Sequence, residues 1–360
     1  MRLVHIQQQR QLHGRRALAV LPVHYPKELL TAFNVLAVEM WGPPGPPRGE
    51  DAGRLQPYVC AVARNALAFL ASGGADAVDG VLFPHTCDSL QGLATLVPDF
   101  GGWTRAAFVF QHARDAGRPS ARAFALAELR SLARGLEAWT GRTLTDERLL
   151  WALRLHEEID ACRAALLDGR KNSSLGDREL YRLLRRGEWL WPEAHLAELR
   201  AARAAMAAEP VQRGLPVLVT GYVPEPPALL DALERAGLTI AADDYAAIGR
   251  RVVRWRGAGD PWPWLAQRML SHPPCPTQSA DQGARMRWLQ ELAQRSGARG
   301  VIVHVQKFCE PELFDVPAIR RALPLPSLVL EGELEAELPA QAVTRIEAFA
   351  EMLRAGARAA

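Results

Sequence analysis

The sequence predicts an α/β protein built on two parallel-sheet domains, and three observations carry that reading. Short runs of apolar residues such as Val81-Leu82-Phe83, Leu215-Pro216-Val217-Leu218-Val219 and Gly300-Val301-Ile302-Val303-His304-Val305 show little polar alternation, as in strands buried on both faces. In both halves these runs alternate with helical stretches, the order that a parallel sheet with crossover helices requires. Two of the runs also end alike, each handing a cysteine to a loop: Pro84-His85-Thr86-Cys87-Asp88 and Gln306-Lys307-Phe308-Cys309-Glu310. Open α/β sheets bind ligands at the carboxyl ends of their strands. Two strand-end cysteines far apart in the chain therefore suggest one shared metal site.

Residues 1–20 mix Gln and Arg with few apolar positions and are expected to fray or to pack late. An apolar run follows over Ala17 to Val23, then a helix start at Tyr25 to Leu30 and a strand over Asn34 to Trp41. Gly42-Pro43-Pro44-Gly45-Pro46-Pro47 must be a loop, because Pro cannot donate to a ladder. The spacing from Ala61 to Leu70 suits a helix, with Cys60 at or near its first turn, where the helix dipole favours thiolate. After the Cys87 loop, Ala106 to Phe110 is strand-like, and Ser120 to Leu167 has helical spacing. Asn172 to Asp177 breaks that pattern, and a second helical region runs to about Ala208.

The composition shifts at Glu209-Pro210, which places a boundary near residue 210. Residues 1–118 are expected to form the first α/β domain, 119–209 a helical insertion, and 210–360 the second α/β domain with a closing helix. Within this last part the sequence predicts a strand over 215–221, a helix over Pro226 to Ala236, a strand over Leu238 to Ala242 and a turn at Asp243-Asp244. A helix carrying Arg285, Arg287 and Trp288 follows, then the Gly300 strand, a short strand at Leu328-Val329-Leu330 and a closing helix from Gln341.

The 360 residues are 49% hydrophobic and 23% charged, which argues against disorder. The net charge is +3, from 43 Lys and Arg against 40 Asp and Glu, and the basic residues are dispersed along helices. Such residues read as solvated faces, so no nucleic-acid partner is expected. No apolar run reaches the roughly 18–20 residues of a membrane span, and the amino terminus lacks the pattern of a secretory signal. The expectation is a cytoplasmic protein with no membrane partner. Its five cysteines then read as thiols, metal ligands or catalytic groups rather than structural disulfides.

Cys162 lies inside a helical pattern and reads as a small helix-face residue. Cys275, on the rigid Pro273-Pro274-Cys275-Pro276 loop, could be a ligand or a buried thiol. Cys60, Cys87 and Cys309 share a setting near the mouth of a sheet, yet their spacing matches neither a zinc ribbon nor a ferredoxin run. Taken alone, they leave a metal site and ordinary core thiols equally open.

Context decides more. Gln56-Pro57-Tyr58-Val59-Cys60, Phe83-Pro84-His85-Thr86-Cys87-Asp88, Lys307-Phe308-Cys309-Glu310-Pro311 and Thr344-Arg345-Ile346-Glu347-Ala348-Phe349 together resemble the 2-hydroxyacyl-CoA dehydratase and benzoyl-CoA reductase subunit family, over most of the chain. Between them, Gly221-Tyr222-Val223-Pro224, Asp243-Asp244 and Pro274-Cys275-Pro276 fall in the matching order. The resemblance implies two Rossmann-like domains with a helical region and a 4Fe-4S cluster at the domain interface. Its three ligands would be Cys60, Cys87 and Cys309. Three thiolates leave one iron open to water, a sulfur species or a substrate oxygen.

The resemblance further implies one-electron chemistry. A separate ATP-hydrolysing iron-sulfur activator supplies an electron of low potential, and the carbonyl of an acyl-CoA thioester becomes a ketyl radical that expels hydroxide, or an aromatic ring is reduced. This chain has neither a G-x-x-x-x-G-K-[ST] loop nor a G-x-G-x-x-G after a strand, and Gly73-Gly74 and Gly101-Gly102 read as turns. It is thus expected to receive the electron. The implied partners are a larger homologous subunit in a heterodimer, or a second copy in a homodimer, with the activator and an acyl-CoA substrate.

His85 and Lys307, each two residues from an implied ligand, could donate to cluster sulfide or to a thioester oxygen, or could be exposed loop residues. Asp88 is expected to cap the following helix, and Arg345 and Glu347 to fix the closing helix. Many relatives carry a Cys shortly after the paired Asp, where this chain reads Asp243-Asp244-Tyr245-Ala246-Ala247-Ile248-Gly249-Arg250. A double-cubane reductase would need more thiolates than the chain readily supplies. The competing classes are a non-catalytic scaffold of the same fold and a zinc-binding protein with His85 as fourth ligand.

Overall fold

In the computed structural model, which describes residues 2–45, 55–100, 102–208, 211, 214–278 and 281–359, every paired strand runs parallel to its neighbours. Pro46 and Pro47 of the proline loop, Gly101, and the composition shift at Glu209-Pro210 lie outside the described residues.

The first sheet is reached through α1 (Arg2–His13) and comprises β1 (Arg16–Val20), β2 (Val35–Glu39), β3 (Gly80–Pro84) and β4 (Ala106–Phe110). Its crossovers are α2 (Lys27–Ala32), α3 (Ala61–Ala71) and α4 (Asp88–Phe100). Four helices follow: α5 (Ala121–Thr140), α6 (Asp146–Asp168), α7 (Asp177–Arg185) and α8 (Pro192–Ala204). The second sheet contains β5 (Leu215–Gly221), β6 (Leu238–Tyr245), β7 (Gly300–Gln306) and β8 (Ser327–Gly332). Around it lie α9 (Ala228–Arg235), α11 (Gln282–Ser296), α12 (Glu310–Ala322) and the closing α13 (Ala340–Ala359), while α10 (Pro261–Leu270), which precedes α11 in the chain, packs elsewhere.

The two sheets are wound alike, β2-β1-β3-β4 and β6-β5-β7-β8. In each, the winding reverses between the first and third strands, so the crevice at their carboxyl ends is the expected ligand edge. The apolar runs alternate faces with period two. Ala17, Ala19, Val81 and Phe83 join a core with α3 and α4, and Leu18, Val20 and Leu82 join another with α2, α5 and α6. In the second sheet Val217, Val219 and Ile302 face α9 and α13, whereas Leu218, Val301, Val303 and Val305 face α11 and α12. Burying both faces is why these strands read as continuous apolar runs.

Three elements depart from expectation. Residues 2–13 form a helix although only Ile6 of it is buried. That end of the chain is held by polar contacts: Arg10 bonds Asp79 and the Ala77 carbonyl, and Arg15 lies over the Trp191 ring. Asp243 and Asp244 are not a turn but two of the last three residues of β6, buried. Asp244 receives Arg285, Arg250, Thr220 and Trp288, and Asp243 receives Tyr181 and the N–H groups of Tyr245 and Gly249. Buried cations and donors from distant elements thus override the local turn preference. Finally, α10 packs Trp264, Leu265, Ala266 and Met269 into the core beneath the first sheet, beside α5.

The edges of the two halves are tied by a buried ion pair. Arg251, just after β6, sets Nη1 and Nη2 each 2.6 Å from the two carboxylate oxygens of Glu39, the last residue of β2. At the closing helix, Arg345 donates to the Val329 carbonyl at 2.7 Å, whereas Glu347 is exposed.

Candidate functional site

Each of the three singled-out cysteines directly precedes a helix. Cys60 caps α3 in an extended conformation, Cys87 stands before Asp88 at the start of α4, and Cys309 caps α12, which carries Pro311 in its first turn, where a missing N–H costs nothing. Cys87 and Cys309 occupy equivalent places: β3 and β7 hold the same position in their sheets, and each cysteine comes three residues after its strand's last residue. Cys60 begins the helix that leads into β3. Its counterpart in the second half is α11, which leads into β7 and is capped by Asp281 through the Ala284 N–H.

As a result, the amino ends of α3, α4, α11 and α12 border one cavity of about 390 Å³, lined among others by Cys60, Cys87, Asp281, Arg285, Phe308 and Cys309. Helix amino ends carry unpaired N–H groups and the positive end of the dipole, so they favour thiolates or an anionic group between them. Phe308 makes the turn between β7 and Cys309 in the left-handed region, with φ of 64°. For a residue with a side chain this costs about 1–2 kcal/mol, strain held next to the cysteine it orients.

Burial outweighs the helix ends in the thiols themselves. It pushes Cys60 up although the N–H groups of Ala63 and Val62 pull the other way. Cys87 is pushed up to about 12, first by burial and then by Cys60. Burial, Glu312 and the other two cysteines raise Cys309 well above the ordinary thiol range. The three sulfurs therefore keep their protons at neutral pH until an electropositive group displaces them, as thiolate ligation does. Among the described residues no three His, Cys, Asp or Glu side chains close on a point that would hold a single ion. Three soft donors around a cavity of this size suit a group of several atoms, and an iron-sulfur cluster fits both the donor chemistry and the room.

The second layer is charged and buried. Arg285, 1% exposed, reaches the cavity while bonding Asp244, Thr220 and the Pro274 carbonyl, and its Nε lies 3.4 Å from Asp315. Arg250 donates to Glu312 at 2.7 Å, to the Gly221 carbonyl at 2.7 Å and to Cys275 Sγ at 3.2 Å. Cys275 thus lines the cavity, but its sulfur also has Thr277 Oγ1 at 3.1 Å. Cys162 sits on α6 in the core, away from the cavity.

His85 Nε2 accepts from Arg114 at 2.8 Å, which leaves the proton on Nδ1 for Gln111 Oε1 at 2.6 Å. Lys307 is half exposed, with Nζ 4.0 Å from Glu333, and is the loop residue of its two alternatives. Asp88 does not act as a cap: it is the first helical residue, its side chain is 89% exposed, and its carboxylate accepts from Arg114 at 2.8 Å. Sequence reasoning missed Asp281 as the fourth helix start, although Asp before Gln-Gly-Ala is an amino-cap signal. It also missed Arg285 as the cavity's cation and Arg250 as the buried partner of Cys275, and no local pattern marks them. A separate apolar cavity of about 690 Å³ borders Met40, Trp41 and Phe69.

Comparison with known proteins matches residues 22–353 to the family described as 2-hydroxyglutaryl-CoA dehydratase, D-component. The chain is similar to lactoyl-CoA dehydratase subunit beta of Anaerotignum propionicum, 26% identical over 354 residues, covering 94% of this chain and 92% of that protein. It is also similar to (R)-2-hydroxyglutaryl-CoA dehydratase, subunit beta, of Acidaminococcus fermentans, 23% identical over 356 residues, with 94% and 93% covered. A benzoyl-CoA reductase subunit of Thauera aromatica is 28% identical over 326 residues, with 85% and 82% covered.

Proposed function

The chain belongs to the 2-hydroxyglutaryl-CoA dehydratase D-component family, and on that premise we propose that it is the cluster-bearing subunit of a 2-hydroxyacyl-CoA dehydratase, with Cys60, Cys87 and Cys309 as ligands of one 4Fe-4S cluster. It is a component of an enzyme, as its relatives' names state of theirs. The observation that carries the cluster reading is the convergence of three helix-capping cysteines from two sheets on one cavity. Such a cluster, when bound, supplies one-electron transfer at low potential and an iron site without a protein ligand.

The chain's own residues then have separable tasks. The three cysteines hold the group, and the amino ends of α3, α4 and α12 stabilise their thiolates. Arg285 and the amino end of α11 add positive potential on the remaining side, and Arg250 keeps Cys275 hydrogen-bonded. The partner in this reading is a second homologous subunit, since the dehydratase relatives are beta subunits. The electron comes from an ATP-hydrolysing activator, and the substrate is a 2-hydroxyacyl-CoA thioester that loses water. Among the described residues no helix is long and apolar enough to cross a membrane.

A second reading has its own support: the 28% identity with the benzoyl-CoA reductase relative favours reduction of an aromatic thioester by the same site. The test of the site is shared. Cys87→Ala is expected to lose iron and the broad visible absorption, and Cys162→Ala to keep both. Retention of iron in Cys87→Ala would overturn the ligand assignment. Turnover of a 2-hydroxyacyl-CoA against an aromatic acyl-CoA, with activator present, separates the two chemistries.

A further inference from the structure

The hydroxyl of Tyr222 is a buried polar group for which the fold itself supplies no acceptor. Tyr222 directly follows β5 at the reversal point of the second sheet, and it is 4% exposed. Its ring meets Trp41 edge-on, with centroids 5.4 Å apart, and its carbonyl accepts the Ala247 N–H at 2.9 Å, so backbone and ring are both fixed. Yet Oη has no hydrogen-bond partner among the described residues. The other buried tyrosines differ: Tyr25 reaches Glu39, Tyr181 reaches Asp243, and Tyr245 reaches His304. Buried hydroxyls are rarely left unpaired, and one that is calls for a ligand or a chemical role.

The surroundings say which. The groups whose charge bears on the Tyr222 phenol are the sulfurs of Cys87, Cys309, Cys60 and Cys275, in that order after burial itself, and all of them keep the phenol protonated. Tyr222 lines neither the cysteine cavity nor the apolar one beside Trp41, and it belongs to the buried cluster that also holds Cys60 and against which Cys87 and Phe308 pack. A protonated, fixed hydroxyl among sulfur acceptors serves them as a donor. We propose that Tyr222 is a positioning residue whose Oη–H donates a hydrogen bond to a sulfur of the group held by Cys60, Cys87 and Cys309. The proposal rests on the cluster reading above. A donor to cluster sulfur stabilises the extra negative charge of the reduced state, so it raises the reduction potential.

The experiment is an EPR-monitored redox titration of the anaerobically purified full chain, with iron and sulfide analysis, for wild type, Tyr222→Phe and Tyr181→Phe. Tyr181→Phe removes an equally buried hydroxyl that bonds Asp243 instead. The expected result is unchanged iron and sulfide in all three, with the reduced-to-oxidised ratio of Tyr222→Phe at fixed potential falling about tenfold, ~59 mV for a one-electron couple. Tyr181→Phe should not shift. An unchanged midpoint in Tyr222→Phe, or an equal shift in both variants, overturns the role of the hydroxyl and leaves the cluster standing. Wild type without iron overturns the cluster reading and this inference with it. Should Tyr222→Phe not fold, 3-fluorotyrosine at position 222 keeps the shape and strengthens the donor. Its midpoint is expected to rise, and no rise overturns the proposal.

Discussion

Breaking the Glu39–Arg251 pair tests how the two halves are held in register. Glu39 is fully buried and takes both Arg251 nitrogens at 2.6 Å, the Tyr25 hydroxyl at 2.8 Å and Lys27 Nζ at 2.9 Å. Removing one partner of a buried pair costs about 3–5 kcal/mol, because the other charge is left uncompensated. Arg251→Met should fall at the low end, about 3 kcal/mol, since Lys27 and Tyr25 still serve Glu39. Glu39→Gln should cost more, about 5 kcal/mol. There Lys27, which burial already pushes down to about 8 although Glu39 holds it up, can shed its proton, whereas Arg251 cannot. The double variant Glu39→Gln/Arg251→Met leaves only Lys27, which can shed its proton, without its counter-charge, and should be less destabilised than Glu39→Gln alone, a coupling of several kcal/mol. Urea unfolding midpoints measure this, with the slope checked for constancy. Single-variant losses below about 1 kcal/mol, or a double variant costing the sum of the two, would refute the reasoning. Because the pair joins the end of β2 to the chain after β6, both single variants should also hold iron less tightly.

Two more outcomes follow from other buried groups. Burial alone would raise Glu28, but Arg268 at 2.6 Å overcompensates and brings its carboxyl from 4.5 down to about 2. A lowered acid stabilises the fold above its unfolded value and loses that contribution as pH falls through its folded value. Roughly 3 kcal/mol should therefore disappear between about pH 4.5 and 2. Glu28→Gln should flatten that part of a stability curve measured by urea midpoints, and parallel curves would contradict the assignment. Cys275→Ala should keep iron at the wild-type level, since Arg250 retains Glu312, Asp244 and the Gly221 carbonyl. Loss of iron would make Cys275 a ligand.

Much of this was legible beforehand. Strands buried on both faces announced themselves as Val81-Leu82-Phe83 and Val301-Ile302-Val303, and the like construction of the Cys87 and Cys309 loops foretold equivalent places in two sheets. Cys60 at the start of a helix followed from local spacing. What escaped was what depends on distant partners. Asp243 and Asp244 look like turn residues until Arg170, Arg250 and Arg285 surround them. The helix at 261–270 belongs with α5, more than 100 residues earlier, and α1 is held by ion pairs rather than by an apolar stripe. Tyr222 reads as an ordinary aromatic until its hydroxyl is found without a partner beside four sulfurs. Local pattern reports faces and caps, whereas side chains that meet only through tertiary packing leave no periodic trace.

The central claim is that three helix-capping cysteines hold one iron-sulfur cube. Iron and acid-labile sulfide per chain, on protein purified without oxygen, test it most directly, together with an EPR spectrum after dithionite reduction. About four of each, with a paramagnetic signal on reduction, is the predicted result. Zinc in place of iron, or no metal bound at all, would contradict it.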